Sequence, residues 1–428
     1  MRTSLSPDQT ADPVLAGVAH NLRTCVHCGI CTATCPTYVL LGDERDGPRG
    51  RIVMMQRMLE SGGVPGTETV RHIDRCLSCL GCRSACPSGV DYARLVDAAR
   101  AHIHAHYRRP LTDRLLRWAV LNVLTRPALA DGALRLARLV APVASRLPGR
   151  IGAAARKAVA LPRARRPVGD LPDEAAATRR IALLRGCVQQ ALAPAIDQAA
   201  ARVLARRGIA LHALDERLCC GALAHHLGHR DEAKQAARRV IAAFEAGEAK
   251  DGVLITATGC AAHLADYAHL LADEPEWRQR AEGFAAKLAD FAELATPRKA
   301  RAPRALSIAH HIPCSLQHGL RHGDNGRTAL EAAGYALSDV PEGHLCCGSA
   351  GSYSLLQPGI AGALRERKLR NIASLGADAV AAANIGCITH LAGPDAPPVL
   401  HPAELLDWAE GGPEPAGLKM ASAAQQNG

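Results

Sequence analysis

Apolar positions in the first hundred residues follow the 3.6-residue period of amphipathic helices. In segment 48–60, Ile52, Met55 and Leu59 fall on one face, which predicts a helix that turns this face to a core. Further helices are predicted after residue 12, over 67–75 and after residue 89. This part of the chain is therefore expected to be mostly helical.

From residue 179 onward, short apolar runs alternate with helical stretches. Strands are predicted at 180–184, 209–213, 252–255 and 305–309, and helices at 192–207 and 325–333. Strand-to-helix alternation with short turns indicates an α/β fold with a parallel sheet. In open sheets of this kind, ligands bind at the carboxyl ends of the strands.

This second part of the chain repeats itself at a constant offset. In each copy a single cysteine precedes a Cys-Cys-Gly triplet and then a last cysteine, and the intervals between them are identical in the two copies. The first copy contains Cys187, Cys219, Cys220, Gly221, Gly259, Cys260, His263 and Leu264; the second contains Cys314, Cys346, Cys347, Gly348, Gly386, Cys387, His390 and Leu391. Identity at eight positions in one register predicts a duplicated domain.

Between the two parts lies a basic segment. It contains fourteen Lys and Arg residues against Asp113 and Asp131 over residues 108–166, a local charge of +12 in a chain whose net charge is +10. Apolar residues at helical spacing predict amphipathic helices, on 111–122 and 134–140. These helices are expected to pack within the protein or its complex, or to lie on an anionic membrane face. Residues 162–172 are the clearest linker.

The fold class predicted from these patterns is α + α/β: a helical N-terminal domain, a basic helical connector and two duplicated α/β cysteine-rich domains. The expected boundaries are 1–107, 108–178, 179–300, 301–412 and a polar tail at 413–428. Aromatic residues make up only 3% of the 428 residues, too few in the basic segment for nucleic-acid stacking. With no signal-peptide pattern and no long apolar run, a cytoplasmic location is expected.

Eight of the sixteen cysteines form two short runs with identical spacing. Each run has the pattern C-x-x-C-x-x-C-x-x-x-C-P, in which the fourth cysteine is followed by proline. This spacing is typical of ferredoxins with two [4Fe–4S] clusters, in which the fourth cysteine of each run binds the other cluster. The predicted ligands are Cys25, Cys28, Cys31 and Cys86 for one cluster, and Cys76, Cys79, Cys82 and Cys35 for the second.

Zinc and disulfides are the alternative interpretations of these runs. Structural zinc sites favour two cysteine pairs separated by a loop, whereas each run here packs its four cysteines closely together. Disulfides suit small secreted domains, which this chain is not expected to be. Arginines near the runs are candidates to compensate the negative cluster charge or are solvated surface residues: Arg23, Arg49, Arg51, Arg75 and Arg83.

Three hypotheses stay open for the duplicated cysteines: an additional iron–sulfur centre in each copy, a zinc site or a redox thiol pair. A metal cluster is favoured because the same chain already carries two cluster motifs. His263 and His390 recur at equivalent positions and are accessory candidates. The histidines without this symmetry are interpreted as structural or surface residues: His225, His226, His310, His311, His318 and His344.

The motifs CVHCGICTATCPTY (25–38), LGDERDGPRGRI (41–52) and CLSCLGCRSACPSGVDY (76–92) resemble the iron–sulfur subunit of glycolate oxidase. The duplicated units resemble the cysteine-rich domain of the same family, which also occurs in heterodisulfide reductases, anaerobic glycerol-3-phosphate dehydrogenase and lactate-utilisation proteins. In heterodisulfide reductases this domain ends in a C-x-x-C pair and binds a non-cubane cluster. Here His263 and His390 replace the last cysteine of that pair.

The resemblance implies an electron-transfer subunit of a glycolate dehydrogenase complex. An FAD-binding partner subunit would oxidise glycolate to glyoxylate, since hydride chemistry belongs to a flavin, and the clusters would accept single electrons. A quinone-type acceptor and peripheral association with the inner face of the membrane are expected. The alternatives are an equivalent subunit for lactate, glycerol-3-phosphate or a heterodisulfide, and, in a different class, a zinc-bound scaffold or redox sensor.

Overall fold

A computed structural model describes residues 3–5, 7, 11, 13–144, 146, 152, 171, 177–215, 218–324, 326–393 and 396–419. Helices make up the first part of the chain: α1 (Pro13–Thr24), α2 (Pro36–Leu41), α3 (Pro48–Ser61), α4 (Thr67–Asp74), α5 (Gly81–Ser84), α6 (Tyr92–His106), α7 (Leu111–Val123) and α8 (Pro127–Ala144). Proline at the first position of α2 and α3, and glycine in the left-handed conformation after each of them, set their limits.

The core of this helical part lies between α1, α3 and α6. Leu22, Met55 and Leu95 are completely buried there. The predicted apolar face of α3 is thereby confirmed. Cys76 belongs to the same core, so the second cysteine run is anchored in the helical packing.

The first sheet is parallel with the strand order β2-β1-β3-β4, and short helices connect its strands. Its elements are β1 (Arg179–Leu183), α9 (Cys187–Leu192), α10 (Ala195–Ala205), β2 (Ile209–Ala213), α11 (Ala222–His226), α12 (Arg230–Ala246), β3 (Gly252–Leu254), α13 (Thr258–Leu264), α14 (Tyr267–Leu270), α15 (Pro275–Ala285), β4 (Leu288–Ala289) and α16 (Phe291–Leu294). The order reverses between β1 and β3, where ligands bind in such sheets.

The second sheet has the same topology, β6-β5-β7-β8, again parallel. It is built from β5 (Ser307–His310), a π-helix (Ser315–Leu320), α17 (Arg327–Ala332), β6 (Ala336–Asp339), α18 (Tyr353–Leu356), α19 (Pro358–Ala373), β7 (Ala379–Ala381), α20 (Ile385–Leu391), β8 (Val399–Leu400) and α21 (Pro402–Ala409). The starts of β2 and β6, and those of β3 and β7, are separated by the same offset as Cys187 and Cys314. The duplication is thus a structural repeat.

The two repeats share their cores. One buried cluster contains Val253 of the first repeat and Val380 of the second, and another contains Ile181 and Ile308. Between the repeats, Arg202 of α10 donates to the buried Asp407 carboxylate of α21 at 2.6 Å. The repeats therefore pack as a single unit.

The predicted α + α/β fold class is confirmed. Strand and helix positions agree to within a few residues; the strand expected at 305–309 spans Ser307–His310, and the helix expected at 192–207 spans Ala195–Ala205 after a separate short α9. Most of the predicted linker at 162–172, and residues 420–428 of the predicted tail, lie outside the described residues.

Candidate metal centres

Each ferredoxin-type run forms a tight turn that left-handed residues make possible. His27 and Gly29 have positive φ in the first run, as do Ser78 and Leu80 in the second. Three of these four are not glycine, so the surrounding structure holds them in an unfavourable conformation. Such turns bring the closely spaced cysteines of a run around one point.

The fourth cysteine of each run lies with the opposite run. The pKa of the Cys31 thiol is raised to about 11 by burial and by the neighbouring Cys25, Cys86 and Cys28. One cavity is lined by these four cysteines together with Pro48 and Tyr92. The structure thus brings together the four residues predicted for the first cluster.

The second predicted set also converges. Burial raises the pKa of Cys82 well above its usual value, and Cys79, Cys76 and Cys35 raise it further. A second cavity is lined by the same four cysteines, and Pro48 and Tyr92 line both cavities. The two thiol sets are therefore immediate neighbours.

Two buried polar groups test whether these cavities suit anionic clusters. The Tyr92 hydroxyl is buried and has no hydrogen-bond partner among the described residues, which makes it a donor available to a cluster sulfur. Arg51 is 1% exposed and its Nη1 lies 3.9 Å from Cys35 Sγ. A buried cation and an unused donor beside free thiols suit a negatively charged group.

Arg51 is the buried arginine that meets the expectation of charge compensation at the second cysteine set. Its Nε donates to the His72 carbonyl at 2.8 Å, and its Nη2 lies 3.4 Å from the buried Asp46 carboxylate. Among the other arginines proposed for this role, Arg49 borders the first cavity, where its charge acts on Cys31, and its Nε donates to Glu44. The remaining three bind elsewhere: Arg23 to Thr3, Arg75 to Asp46 and Arg83 to Asp91.

In the first repeat, the four duplicated cysteines meet at the carboxyl ends of β1, β2 and β3. Cys187 Sγ and Cys219 Sγ are 3.5 Å apart, and Cys220 interacts with both Cys219 and Cys260. Two thiolates bound to one metal at about 2.3 Å each lie at most about 4.6 Å apart. The separation of Cys187 and Cys219 is therefore short enough for a shared metal atom.

The second repeat forms an equivalent set. Cys314 Sγ lies 3.8 Å from Cys346 Sγ, and Cys347 Sγ lies 3.6 Å from Cys387 Sγ. All sixteen cysteines of the chain are free thiols. Convergence of Cys346 with Cys314, and of Cys347 with Cys387, follows from the strand order, because β5 lies between β6 and β7.

His311 joins the second set, which sequence reasoning did not predict. One ligand atom each of His311, Cys347 and Cys387 lie within 4.8 Å of one another, and all three residues are buried. The equivalent position in the first repeat, when Cys187 is aligned with Cys314, is the buried Leu184. Symmetry between the copies does not reveal His311, because only one copy carries it. Its position directly after a strand is the available sequence signal.

The two symmetric histidines lie in different surroundings. His390 is buried, its Nε2 lies 3.2 Å from the Ala361 carbonyl, and it is a neighbour of Cys347. His263 packs instead against His225 and Tyr267, with ring centroids 5.1 Å and 5.5 Å away. Sequence symmetry therefore does not extend to the environment of these side chains.

The second cubane-type set adjoins the cysteines of the second repeat. Burial raises the pKa of Cys79, and the nearby Cys314 thiolate raises it further. In addition, Leu77 and Cys346 pack in one buried cluster. Across the same contact, the Tyr353 hydroxyl donates to the Arg75 carbonyl at 3.0 Å, and His318 Nδ1 lies 3.0 Å from Ser84 Oγ.

The basic connector exposes apolar side chains. Leu111, Leu115 and Trp118 of α7 are 72%, 66% and 61% exposed, whereas Val120 is buried. The apolar face predicted here therefore does not pack within the described part of this chain. None of the helices in the described residues has the length and apolar character needed to span a membrane.

Comparison with known proteins agrees with this division of the chain. The family model of the 4Fe-4S dicluster domain matches residues 21–90, and that of the cysteine-rich domain matches residues 181–265 and 308–392. These ranges contain the two kinds of cysteine set described above.

Curated relatives cover nearly the whole chain. The glycolate oxidase iron–sulfur subunit of Escherichia coli is 37% identical over 96% of this chain and 99% of its own length. The probable glycolate oxidase iron–sulfur subunit of Bacillus subtilis is 29% identical over 86% of this chain and 88% of its own. Lactate utilization protein A of Shouchella clausii is 28% identical over 50% of this chain and 90% of its own.

The fold and the cysteine sets define an iron–sulfur protein in which a dicluster domain precedes two cysteine-rich domains. Such domains carry out electron transfer. Within this class, the chain belongs to the family of glycolate oxidase iron–sulfur subunits.

Proposed function

We propose that this chain is the electron-transfer subunit of a complex that oxidises glycolate to glyoxylate. An FAD-binding partner subunit would supply electrons, and a quinone-type acceptor at the inner face of the cytoplasmic membrane would receive them. The observation that carries this proposal is that Cys79 and Cys314 pack against the same buried cluster, which joins the ferredoxin-type cysteines to those of the second repeat. Similarity to the glycolate oxidase subunits of E. coli and B. subtilis supports the substrate.

The proposed ligands are the two crossed sets. Cys25, Cys28, Cys31 and Cys86 would hold one [4Fe–4S] cluster, and Cys76, Cys79, Cys82 and Cys35 the other. When bound, such clusters exchange single electrons with their neighbours. The chain holds them next to each other, places Pro48 and Tyr92 at both sites, and supplies the buried positive charge of Arg51.

The first set is the proposed entry side. Cys28 is exposed, and the apolar side chains of Val26 and Ile30 beside it are 68% and 53% exposed. An exposed apolar rim around a redox site is suited to a transient protein partner. We therefore assign this face to the flavoprotein.

The second repeat is the proposed exit side. We propose that Cys314, Cys346, Cys347, Cys387 and His311 hold a further metal centre there. The first repeat has the four cysteines Cys187, Cys219, Cys220 and Cys260 but Leu184 in place of the histidine, so the two repeats differ in donor number.

Iron and acid-labile sulfide counts on anaerobically purified protein test these assignments. Two cubanes give about eight irons per chain, and a further centre raises the count. His311→Leu and Cys347→Ser are each expected to reduce the iron content to that of the two cubanes. Cys220→Ser is the matched change in the first repeat, and it leaves the iron content unaltered when the second repeat alone holds the further centre. A colourless protein containing zinc and no sulfide would overturn the proposal in favour of a zinc scaffold.

Lactate is the second candidate substrate, because several relatives are named lactate utilization protein A. These relatives match only half of this chain. Restoration of growth on glycolate, and not on lactate, in a strain lacking its own iron–sulfur subunit supports glycolate. The reverse result would assign the chain to lactate.

A further inference from the structure

A second group of metal-ligand side chains lies where helix α6 meets the first repeat, and it contains no cysteine. Asp97 comes from α6, His225 and His226 end α11, and His263 lies on α13. One ligand atom each of Asp97, His225 and His226 lie within 4.8 Å of one another. The His263 ring lies 5.1 Å from that of His225 and 6.1 Å from that of His226.

Several donor atoms in this group are buried and have no hydrogen-bond partner among the described residues. They are Asp97 Oδ1, His226 Nδ1 and His263 Nε2. Burying such atoms without a hydrogen-bond partner is unfavourable. Because His263 is only 5% exposed, bulk water does not supply a hydrogen-bond partner for its Nε2. A ligand that satisfies these atoms together would remove that cost.

The distances suit a shared cation better than a direct hydrogen bond. His226 Nδ1 and Asp97 Oδ1 are 3.9 Å apart, beyond hydrogen-bond range. A zinc ion binds imidazole nitrogen and carboxylate oxygen at about 2.0–2.2 Å each, so two of its ligands lie up to about 4.2 Å apart. An ion between these two atoms therefore needs little movement of either side chain.

The protonation states of the group support this geometry. Burial lowers the pKa of His225 and of His263, so both rings are neutral near pH 7 and keep a lone pair for a cation. Burial raises the pKa of Asp97, but nearby positive charge, including that of Arg100, lowers it by more, and its carboxyl remains ionised.

Nearby cations are already engaged elsewhere. Arg94 forms two hydrogen bonds of 2.5 and 2.6 Å with Asp266, and Arg100 donates to Ser78 Oγ and to the Cys76 carbonyl. Since Arg94 pairs with the Asp266 carboxylate, Asp97 is the carboxylate grouped with His225 and His226. His226, whose side chain is 40% exposed, gives an ion a path from solvent.

We propose that Asp97, His225, His226 and His263 form a binding site for one divalent transition-metal ion, Zn²⁺ in the first instance. Three imidazoles and a carboxylate are donors that zinc accepts, and four ligands complete its usual tetrahedral shell. Since Asp97 lies on α6 and the histidines lie in the first repeat, the ion ties the dicluster domain to that repeat. This site is separate from the proposed iron centres.

Zinc binding to the full chain, purified anaerobically with its iron, tests the proposal. One zinc per chain is expected, with a zinc-edge X-ray absorption spectrum that shows nitrogen and oxygen ligands only. His226→Gln and His263→Phe are each expected to weaken zinc affinity by about 100-fold or more, measured by competition with a chelating dye, while the iron content is unchanged.

His104→Gln is the matched control, because His104 lies on the same helix α6 but is exposed and packs against His229, with ring centroids 3.9 Å apart. It is expected to bind zinc as the unaltered protein does. Zinc should also raise the melting temperature of the unaltered protein and of this control, but not of the two site variants. Zinc with sulfur ligands, zinc affinity unchanged in both site variants, or failure of the intact protein to take up zinc would each overturn the proposal.

Discussion

At the scale of single residues, two buried polar side chains shape the environment of the ferredoxin-type cysteines. Arg51 lies beside Cys35, and its positive charge is stabilised by neighbouring thiolates and Asp46 against the cost of burial. Tyr92 lines both cysteine cavities with an unused hydroxyl. Charge and hydrogen bonds to sulfur both set cluster potentials, so these residues are expected to tune the electron-transfer reaction.

Tyr92→Phe is expected to lower the reduction potential of an adjacent cluster by about 20–60 mV. A donor to sulfur stabilises the more negative reduced state, and a net hydrogen bond of about 0.5–1.5 kcal/mol corresponds to that shift for one electron. A redox titration followed by electron paramagnetic resonance measures it. Tyr107→Phe is the control, because that hydroxyl lies near Thr67 Oγ1, 3.4 Å away. Equal potentials in the Tyr92 variant and the unaltered protein would contradict the role of this hydroxyl.

At the scale of elements, a buried polar network connects α9, α10 and the end of β3 behind Cys187. Asp197 Oδ1 accepts hydrogen bonds from Gln189 Nε2 and Thr256 Oγ1, both at 2.7 Å. Burial raises the pKa of Asp197 to about 6. The corresponding residue of the second repeat, Asp324, is exposed, so only the first repeat contains this network.

Asp197→Asn is expected to stabilise the protein by up to about 3 kcal/mol at pH 7. Between pH 3.8 and about 6 the folded state holds the extra proton, so stability falls as pH rises through this window and then stays level. Asparagine carries no ionisable carboxyl, so the folded protein does not bear the free-energy cost of ionising a buried group. The asparagine amide can donate to Gln189 Oε1, which has no hydrogen-bond partner among the described residues. The difference in free energy of unfolding between the Asp197→Asn variant and the unaltered protein should therefore decrease as pH falls below 6.

Thermal unfolding under nitrogen between pH 5 and 8 measures this difference. Asp324→Asn is the control and is expected to show no pH-dependent change relative to the unaltered protein. An Asp197→Asn protein that melts lower at pH 7, or a difference independent of pH, would contradict the raised pKa.

At the scale of the whole molecule, α7 buries Arg117 and Val120 but leaves three large apolar side chains exposed. Arg109 and Arg117 form ion pairs with Asp74 and Asp113, and Val120 packs against the repeats. Leu111, Leu115 and Trp118 remain exposed. An exposed apolar patch on a basic segment is typical of a docking surface, and we expect it to bind the partner subunits of the complex.

Trp118→Ala is expected to weaken binding to the flavoprotein subunits by about 30-fold, since a buried interface tryptophan contributes about 2 kcal/mol or more. Co-purification and biolayer binding of the partner measure this loss. Val64→Ala is the control, an exposed apolar residue (77%) away from the connector. Normal partner binding by the Trp118 variant, combined with loss of binding to anionic vesicles, would assign the surface to the membrane instead.

The sequence by itself determined the features that depend on local spacing. Closely spaced cysteines, with a proline after the fourth, predict the turns at 25–36 and 76–87, and the constant offset between the duplicated cysteines predicts two sheets of equal topology. Apolar periodicity located α3 and the strands because burial of one face is a property of a short segment.

Only the tertiary structure decided which distant side chains meet. His311 joins Cys347 and Cys387, and Asp97 joins His226, because strand order and helix packing bring together residues far apart in sequence. It also decided that the apolar face of α7 points outward, because periodicity shows that a face exists but not what covers it. Contacts between separate elements depend on the whole packing arrangement, which no local pattern contains.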